Sequence, residues 1–149
     1  MAFTLMPSLF GLLVEAKTAA GVSEYMHAVQ VAYAKYFNAR YRREGHLFRG
    51  PFSALSVADE KDALYLSAHL HRRARELPEW RSRMAEYPFL SYDDYLSENR
   101  FGELLQMAPL LSLLPAGAEF PSAQDYKRFV GNTSAKEIAQ VLPSAHFLK

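Results

Sequence analysis

Two short apolar runs flank a Pro-Ser break: residues 2–6 read AFTLM and residues 9–15 read LFGLLVE. Proline has no backbone N–H to continue a helix, and each run is too short for a helix of its own. The pair is therefore predicted as two strands, which commits the chain to a mixed architecture. With a side-chain period of two, Phe10, Leu12 and Val14 share one face, and Leu9, Gly11 and Leu13 the other. The bulkier first set is expected to face the core.

Helical signals dominate the rest. Between Gly21 and Gly45, the residues Tyr25, Met26, Val29, Ala32, Tyr33, Tyr36 and Phe37 recur at helical spacing. A long amphipathic helix is expected there, with Ser23 as cap and Gly45 as stop. Residues 46–57, broken by Gly50-Pro51, read as a hairpin-like pair of short strands. A second helix is expected over 59–75. Asp59, Glu60 and Asp62 sit at its positive end, and Arg72, Arg73 and Arg75 at its negative end. Shorter helices are expected over 91–97, 124–130 and 134–142, the last after an Asn132-Thr133-Ser134 turn. The apolar stretch 103–114 is interrupted by Pro109. The fold class is therefore α+β with a helical C-terminal tail.

The 149 residues, 50% of them hydrophobic and 22% charged, suit one domain with an appendage. No run approaches the roughly 18 apolar residues of a membrane span. Pro7 and Gly11 interrupt the N-terminal apolar stretch and no basic segment precedes it, so a secretory signal is not expected. The absence of cysteine excludes disulfides, thiolate zinc sites and cysteine nucleophiles, and fits a reducing compartment. A net charge of +1 means that any nucleic-acid site must be a local patch.

Such a patch is visible at KYFNARYRREGHLFR, residues 35–49. Lys35, Arg40, Arg42, Arg43 and Arg49 face a single acid, Glu44, and Tyr36, Phe37, Tyr41 and Phe48 are interleaved. Guanidinium groups suit phosphate oxygens, and aromatic rings stack on unpaired bases. The same residues also fit a solvated helix end whose arginines answer the dipole. Arg72 and Arg73 form a second small basic group, which fits a solvated last turn equally well.

The catalytic signals are sparser. His69 and His71 are two apart, so on a helix their rings diverge by about 200°, unlike the i, i+4 pairs that hold metals. Tyr65 and His69 lie one turn apart, a spacing that fits an activated nucleophile or a simple packed pair. Asp59, Glu60 and Asp62, like Asp93-Asp94, read as a helix start and a turn rather than as metal ligands. Phosphate-binding glycine loops and the serine elbow of the hydrolases are absent.

Taken in order, these segments resemble the single-tyrosine HUH transposases, in particular the REP-associated tyrosine transposases. The matching stretches are LMPSLFGLLVE at 5–15, YAKYFNARYRREGHLFRGPF at 33–52 and SVADEKDALYLSAHLHRRAR at 56–75, with weaker ones at 87–96 and 126–130. The resemblance implies a ferredoxin-like sandwich, an antiparallel sheet with helices on one face, commonly dimeric. It also implies binding of hairpin-forming single-stranded DNA. A histidine pair on a central strand would hold Mg or Mn, and a helical tyrosine would attack the phosphate.

The departures bear on activity. Where the family carries M-P-N-H-x-H, this chain has Met6-Pro7-Ser8-Leu9-Phe10-Gly11, so Leu9 and Gly11 stand at both ligand positions. By register His69 stands at the nucleophile position, with Tyr65 one turn earlier. The family's Asn-Pro after that helix is absent, and Arg72-Arg73 stand there. A first strand and helix are also missing. The sheet is therefore expected to lack one strand, which leaves an edge for a dimer or a rearranged pairing.

The expectation is a transposase-like domain over 1–100 with a helical extension over 101–149 packed on it. It would bind single-stranded or hairpin DNA through Lys35, Tyr36, Arg40, Arg42, Arg43, His46, Arg49, Arg72 and Arg73. It would carry no metal cofactor and no competent nucleophile, form a homodimer, and reside at the nucleoid in a bacterial cytoplasm. Two other readings fit the same residues. One is an active nuclease using Tyr65 with His69, His71 or His46. The other is a dimerisation module that binds no DNA.

Overall fold

The computed structural model describes residues 1–57, 59–114 and 122–141. The chain is α+β, with a two-stranded antiparallel sheet and several helices. It divides into two compact units: residues 15–56 form one, and residues 1–14 with the described residues from 57 onward form the other. The described helices after residue 101 belong to the same unit as the sheet. No helix among the described residues is long and apolar enough to cross a membrane.

In the sheet-containing unit, β1 (Ala2–Met6) pairs with β2 (Leu9–Leu13), from Ala2 opposite Leu13 to Met6 opposite Leu9. The Pro7-Ser8 break is the turn. The buried face is the reverse of the sequence expectation. Ala2 and Thr4 are buried, Met6 and Leu13 pack on the core, and Val14 is exposed. The physical reason is clearance. A Cβ on Gly11 would lie 2.7 Å from Leu70 Cδ2 and 3.3 Å from Thr4 Cγ2. A helix can lie this close only on a strand face of small residues, so Ala2, Thr4 and Gly11 decide the orientation against the bulkier Phe10 and Leu12.

The helix on that face is α2 (Glu60–Arg72). Asp59 caps it, its carboxylate accepting from Lys61 N at 2.8 Å, and Glu60 and Asp62 favour the same end. Leu64, Ser67, Ala68 and His71 follow helical spacing and are all buried. Each buried leucine of this helix contributes about 2 kcal/mol of hydrophobic burial. The α-helix ends at Arg72 and tightens into a 3-10 turn over Arg73–Glu76, so the expected helix to residue 75 has two geometries.

Two further 3-10 turns, Pro78–Trp80 and Met84–Glu86, carry the chain back to β1. There Leu5 N donates to Phe89 O at 2.9 Å and Ser91 N donates to Phe3 O at 3.2 Å. Thr4 and Leu90 form an isolated antiparallel bridge. The outer edge of β1 is thus occupied by residues 89–91 of the same chain, which satisfies backbone groups that a bare edge would expose.

The remaining helices are short: α3 (Tyr92–Leu96), α4 (Ala108–Leu111), α5 (Ala123–Asn132) and α6 (Ala135–Val141). Pro109 sits in the first turn of α4, where its missing N–H costs nothing. A capping box between Ser122 and Asp125 starts α5. The buried Asp94 carboxylate receives Arg100 Nε and Nη2, both at 2.8 Å, which locks the turn after α3. The expected helix end at residue 142 lies outside the described residues.

Among the described residues two buried side-chain atoms have no hydrogen-bond partner, Asn38 Oδ1 and Thr4 Oγ1. Thr4 is fully buried and its Oγ1 makes no hydrogen bond. Thr4→Val keeps the branched shape and removes an unsatisfied hydroxyl. It is expected to raise stability by about 1 kcal/mol in a urea melt, whereas a loss of stability would show that the hydroxyl is satisfied in solution.

The second unit is built on α1 (Ala19–Tyr41). Its cap is Thr18, whose Oγ1 accepts from Gly21 N at 3.1 Å, in place of Ser23. It ends before Gly45, at Arg42, whose φ of 51° is left-handed. It is not amphipathic: Tyr25, Val31, Tyr33, Tyr36 and Tyr41 are all exposed. The strands expected over 46–57 do not form. Residues 47–50 are bends and residues 51–57 irregular chain, and Pro51 removes a ladder donor.

Candidate nucleic-acid interface

Helical geometry aligns the aromatic residues of α1. Tyr33, Phe37 and Tyr41 are four apart and stand on one stripe. Ring centroids are 6.1 Å apart for Tyr33–Phe37 and 4.5 Å for Phe37–Tyr41. Tyr36 lies 6.4 Å from Tyr33, and Phe48 returns from the following loop to 6.3 Å. Tyr33, Tyr36 and Tyr41 are 50%, 62% and 63% exposed, so their rings remain open to a ligand.

Cations stand on the same helix and its following turn, Arg43 beside the stripe and Lys35 on the opposite side of α1. Lys35, Arg40, Arg42, Arg43, His46 and Arg49 are all exposed. Arg43 stands over the Phe37 ring at 5.6 Å, a cation–π contact that presents the guanidinium beside the aromatic stripe. Among the described residues, no carboxylate lies within 4 Å of any of these side chains, whereas Arg73, Arg83, Arg100 and Arg128 each have one.

The turn that carries them is held by Asn38. Its backbone carbonyl accepts from Arg42 N and Arg43 N, and its Nδ2 donates to Gly45 O at 2.9 Å. Arg42 adopts a left-handed conformation that costs an L-residue about 1 kcal/mol, and Gly45 has a φ of 91°. Between α1 and this loop runs an open groove of about 680 Å³. Its helix side carries Gln30, Val31 and Ala34, and its loop side His46, Leu47 and Arg49. Asn38 and the helix side of the groove escaped sequence reasoning, because the loop read as strands that would have placed it elsewhere.

Arg72 and Arg73, the other basic group, belong to the sheet-containing unit and have partners within it. Arg72 Nη1 donates to Val130 O at 3.3 Å, which ties α2 to the end of α5. Arg73 pairs with Glu76 through two contacts of 3.2 Å. Burial and the nearby Arg75 charge depress the Arg72 pKa below the usual arginine range.

The histidines and tyrosines of α2 separate into different roles. The Tyr65 ring packs edge-on against Phe129 at 5.3 Å. His69 is partly buried; desolvation and the Arg73 charge lower its pKa and favour the neutral ring. His71 is fully buried at the centre of a polar chain. Its Nδ1 lies 2.8 Å from Tyr126 Oη and its Nε2 2.7 Å from Ser91 Oγ. Tyr126 Oη lies 2.9 Å from Ser67 Oγ, which donates to Leu64 O at 2.7 Å. Phe3 N donates to Ser91 Oγ at 2.8 Å.

One direction of donation satisfies the four contacts of 2.9 Å or less, with the longer Ser91 Oγ to Phe3 O contact of 3.3 Å as the alternative use of the Ser91 proton. Ser67 donates to Leu64 O, Tyr126 to Ser67, His71 Nδ1–H to Tyr126, and Ser91 to His71 Nε2. Desolvation pushes the His71 pKa down to about 3, against an opposing attraction from Asp94. Every side chain of the chain from Ser67 to Ser91 is fully buried. The network therefore ties β1, α2 and α5 together and presents no atom to a substrate. His71 is a structural histidine.

Leu9 and Gly11 carry no side-chain ligand atom. The Leu70 side chain occupies the space that a side chain at position 11 would need. No group of three His, Cys, Asp or Glu residues among the described residues has metal-binding geometry. No family model, curated protein or solved structure matches this chain.

Proposed function

We propose that this chain is a transposase-like DNA-binding protein that binds single-stranded or hairpin DNA and does not cleave it. The observation that carries the reading is the exposed surface of residues 33–49, where aromatic rings alternate with cations that have no carboxylate partner among the described residues. Phosphates neutralise such cations and unpaired bases stack on such rings. Arg42 adds support: a cation is kept at a left-handed position where glycine would be unstrained.

In this reading Lys35, Tyr36, Arg40, Arg42, Arg43, His46 and Arg49 contact DNA, and Arg72 and Arg73 make secondary phosphate contacts. The two-stranded sheet is what remains of a ferredoxin-like sandwich that lacks its first strand, and the protein acts as a homodimer at the nucleoid of a bacterial cytoplasm. The HUH resemblance supports these points. Leu9, Gly11 and His69 at the three catalytic positions support a loss of strand cleavage. Tyrosine attack on a phosphodiester needs the charge stabilisation that a metal supplies.

The test is an anisotropy titration with a labelled DNA hairpin and matched duplex as competitor, followed by incubation with Mg or Mn. The expected result is hairpin-preferring binding with no covalent adduct on a denaturing gel. An adduct abolished by Tyr65→Phe would overturn the inactive reading. Absence of binding to either DNA would overturn the DNA-binding reading itself.

A further inference from the structure

We infer that the groove between α1 and the 45–50 loop receives the base of one unpaired nucleotide, with its phosphate on Arg49. This rests on the DNA-binding reading and assigns a subsite within that surface. The groove's volume of about 680 Å³ lies within the roughly 300–1,000 Å³ of small-ligand clefts. Its chemistry is divided as a nucleotide is divided. Val31, Ala34 and Leu47 offer apolar wall, His27, Gln30 and His46 offer hydrogen-bonding groups, and Arg49 offers a phosphate partner.

Charge complementarity fixes the occupant as an anion-bearing one. Arg49 has no carboxylate within 4 Å among the described residues. Glu44 is the single acid between residues 35 and 49, against five Lys and Arg. The wall is also pre-set. The Asn38 bond to Gly45 O holds the loop at a fixed distance from the helix, so the cleft need not form on binding. A paired base has its edge occupied and its faces stacked, so only an unpaired nucleotide can enter.

The test is a four-way comparison. A labelled hairpin with an ordinary loop is set against one with an abasic loop, which keeps the phosphates and removes the bases. Each is titrated against the unmodified protein and against Ala34→Trp, which fills the groove. The unmodified protein is expected to prefer the ordinary loop by roughly tenfold, as one stacked base supplies. Ala34→Trp is expected to lose affinity for the ordinary loop by roughly tenfold and to bind the abasic hairpin as the unmodified protein does. Equal affinity of the unmodified protein for the two hairpins, or a preference that is undiminished in Ala34→Trp, would overturn the subsite while leaving phosphate binding intact. Failure of the unmodified protein to bind either hairpin would overturn the DNA-binding reading and the subsite with it. Val31→Trp fills the same groove from an exposed position and replaces Ala34→Trp if that variant loses its helical circular dichroism.

Discussion

Lowering the pH from 7 to 4 is expected to remove about 3 kcal/mol of folding stability through His71 alone. The unfolded histidine takes up a proton near pH 6.5, whereas the folded one does so only near pH 3. Between those values the unfolded state holds the extra proton, so it gains about 1.4 kcal/mol per pH unit. The stability is fully present above pH 6.5 and is lost as pH falls towards 3. The cause is burial: protonation would put a charge in a fully buried site. Urea melts at half-unit pH steps measure the slope. His71→Gln should flatten it between pH 6.5 and 4, and should itself cost about 2–3 kcal/mol at pH 7 by leaving buried partners unsatisfied. A His71 imidazole that titrates near pH 6 by NMR would contradict this account.

The second large effect is expected from charge reversal on the other unit. Changing Arg40, Arg42 and Arg43 together to glutamate should weaken hairpin binding on the order of a hundredfold at 0.1 M salt. Each residue is exposed and none pairs with a carboxylate among the described residues, so the folding cost should be small. Arg42→Glu retains the left-handed strain already present and adds none. Thermal melts of the triple variant should therefore stay within a few degrees of the unmodified protein while anisotropy reports the loss. Unchanged affinity would remove the DNA contact from this surface.

The parts of the fold legible in sequence were those fixed by local chemistry. Pro7-Ser8 separates two strands wherever they pack, and Asp59 caps α2 whatever lies beside it. The strand face was misread because bulk suggested Phe10 and Leu12. Packing instead followed Gly11, whose significance depends on Leu70, 59 positions away. The His71 chain was illegible for the same reason, since its partners Ser91 and Tyr126 lie 20 and 55 residues off. The cation and aromatic content of residues 35–49 was legible, because a surface made from one helix and its following turn needs only local spacing. Its groove was not, because the Gly50-Pro51 segment read as strands.

The most direct test of the central claim is the salt dependence of hairpin binding by the unmodified protein. Each phosphate contact to a single strand contributes about 0.7 to the slope of log affinity against log salt. Engagement of Lys35, Arg40, Arg42, Arg43 and Arg49 predicts a slope near −3 to −4, and the triple reversal should make it shallower by about 2. A slope near zero, or one unchanged by the reversal, would contradict the assignment of this surface to DNA.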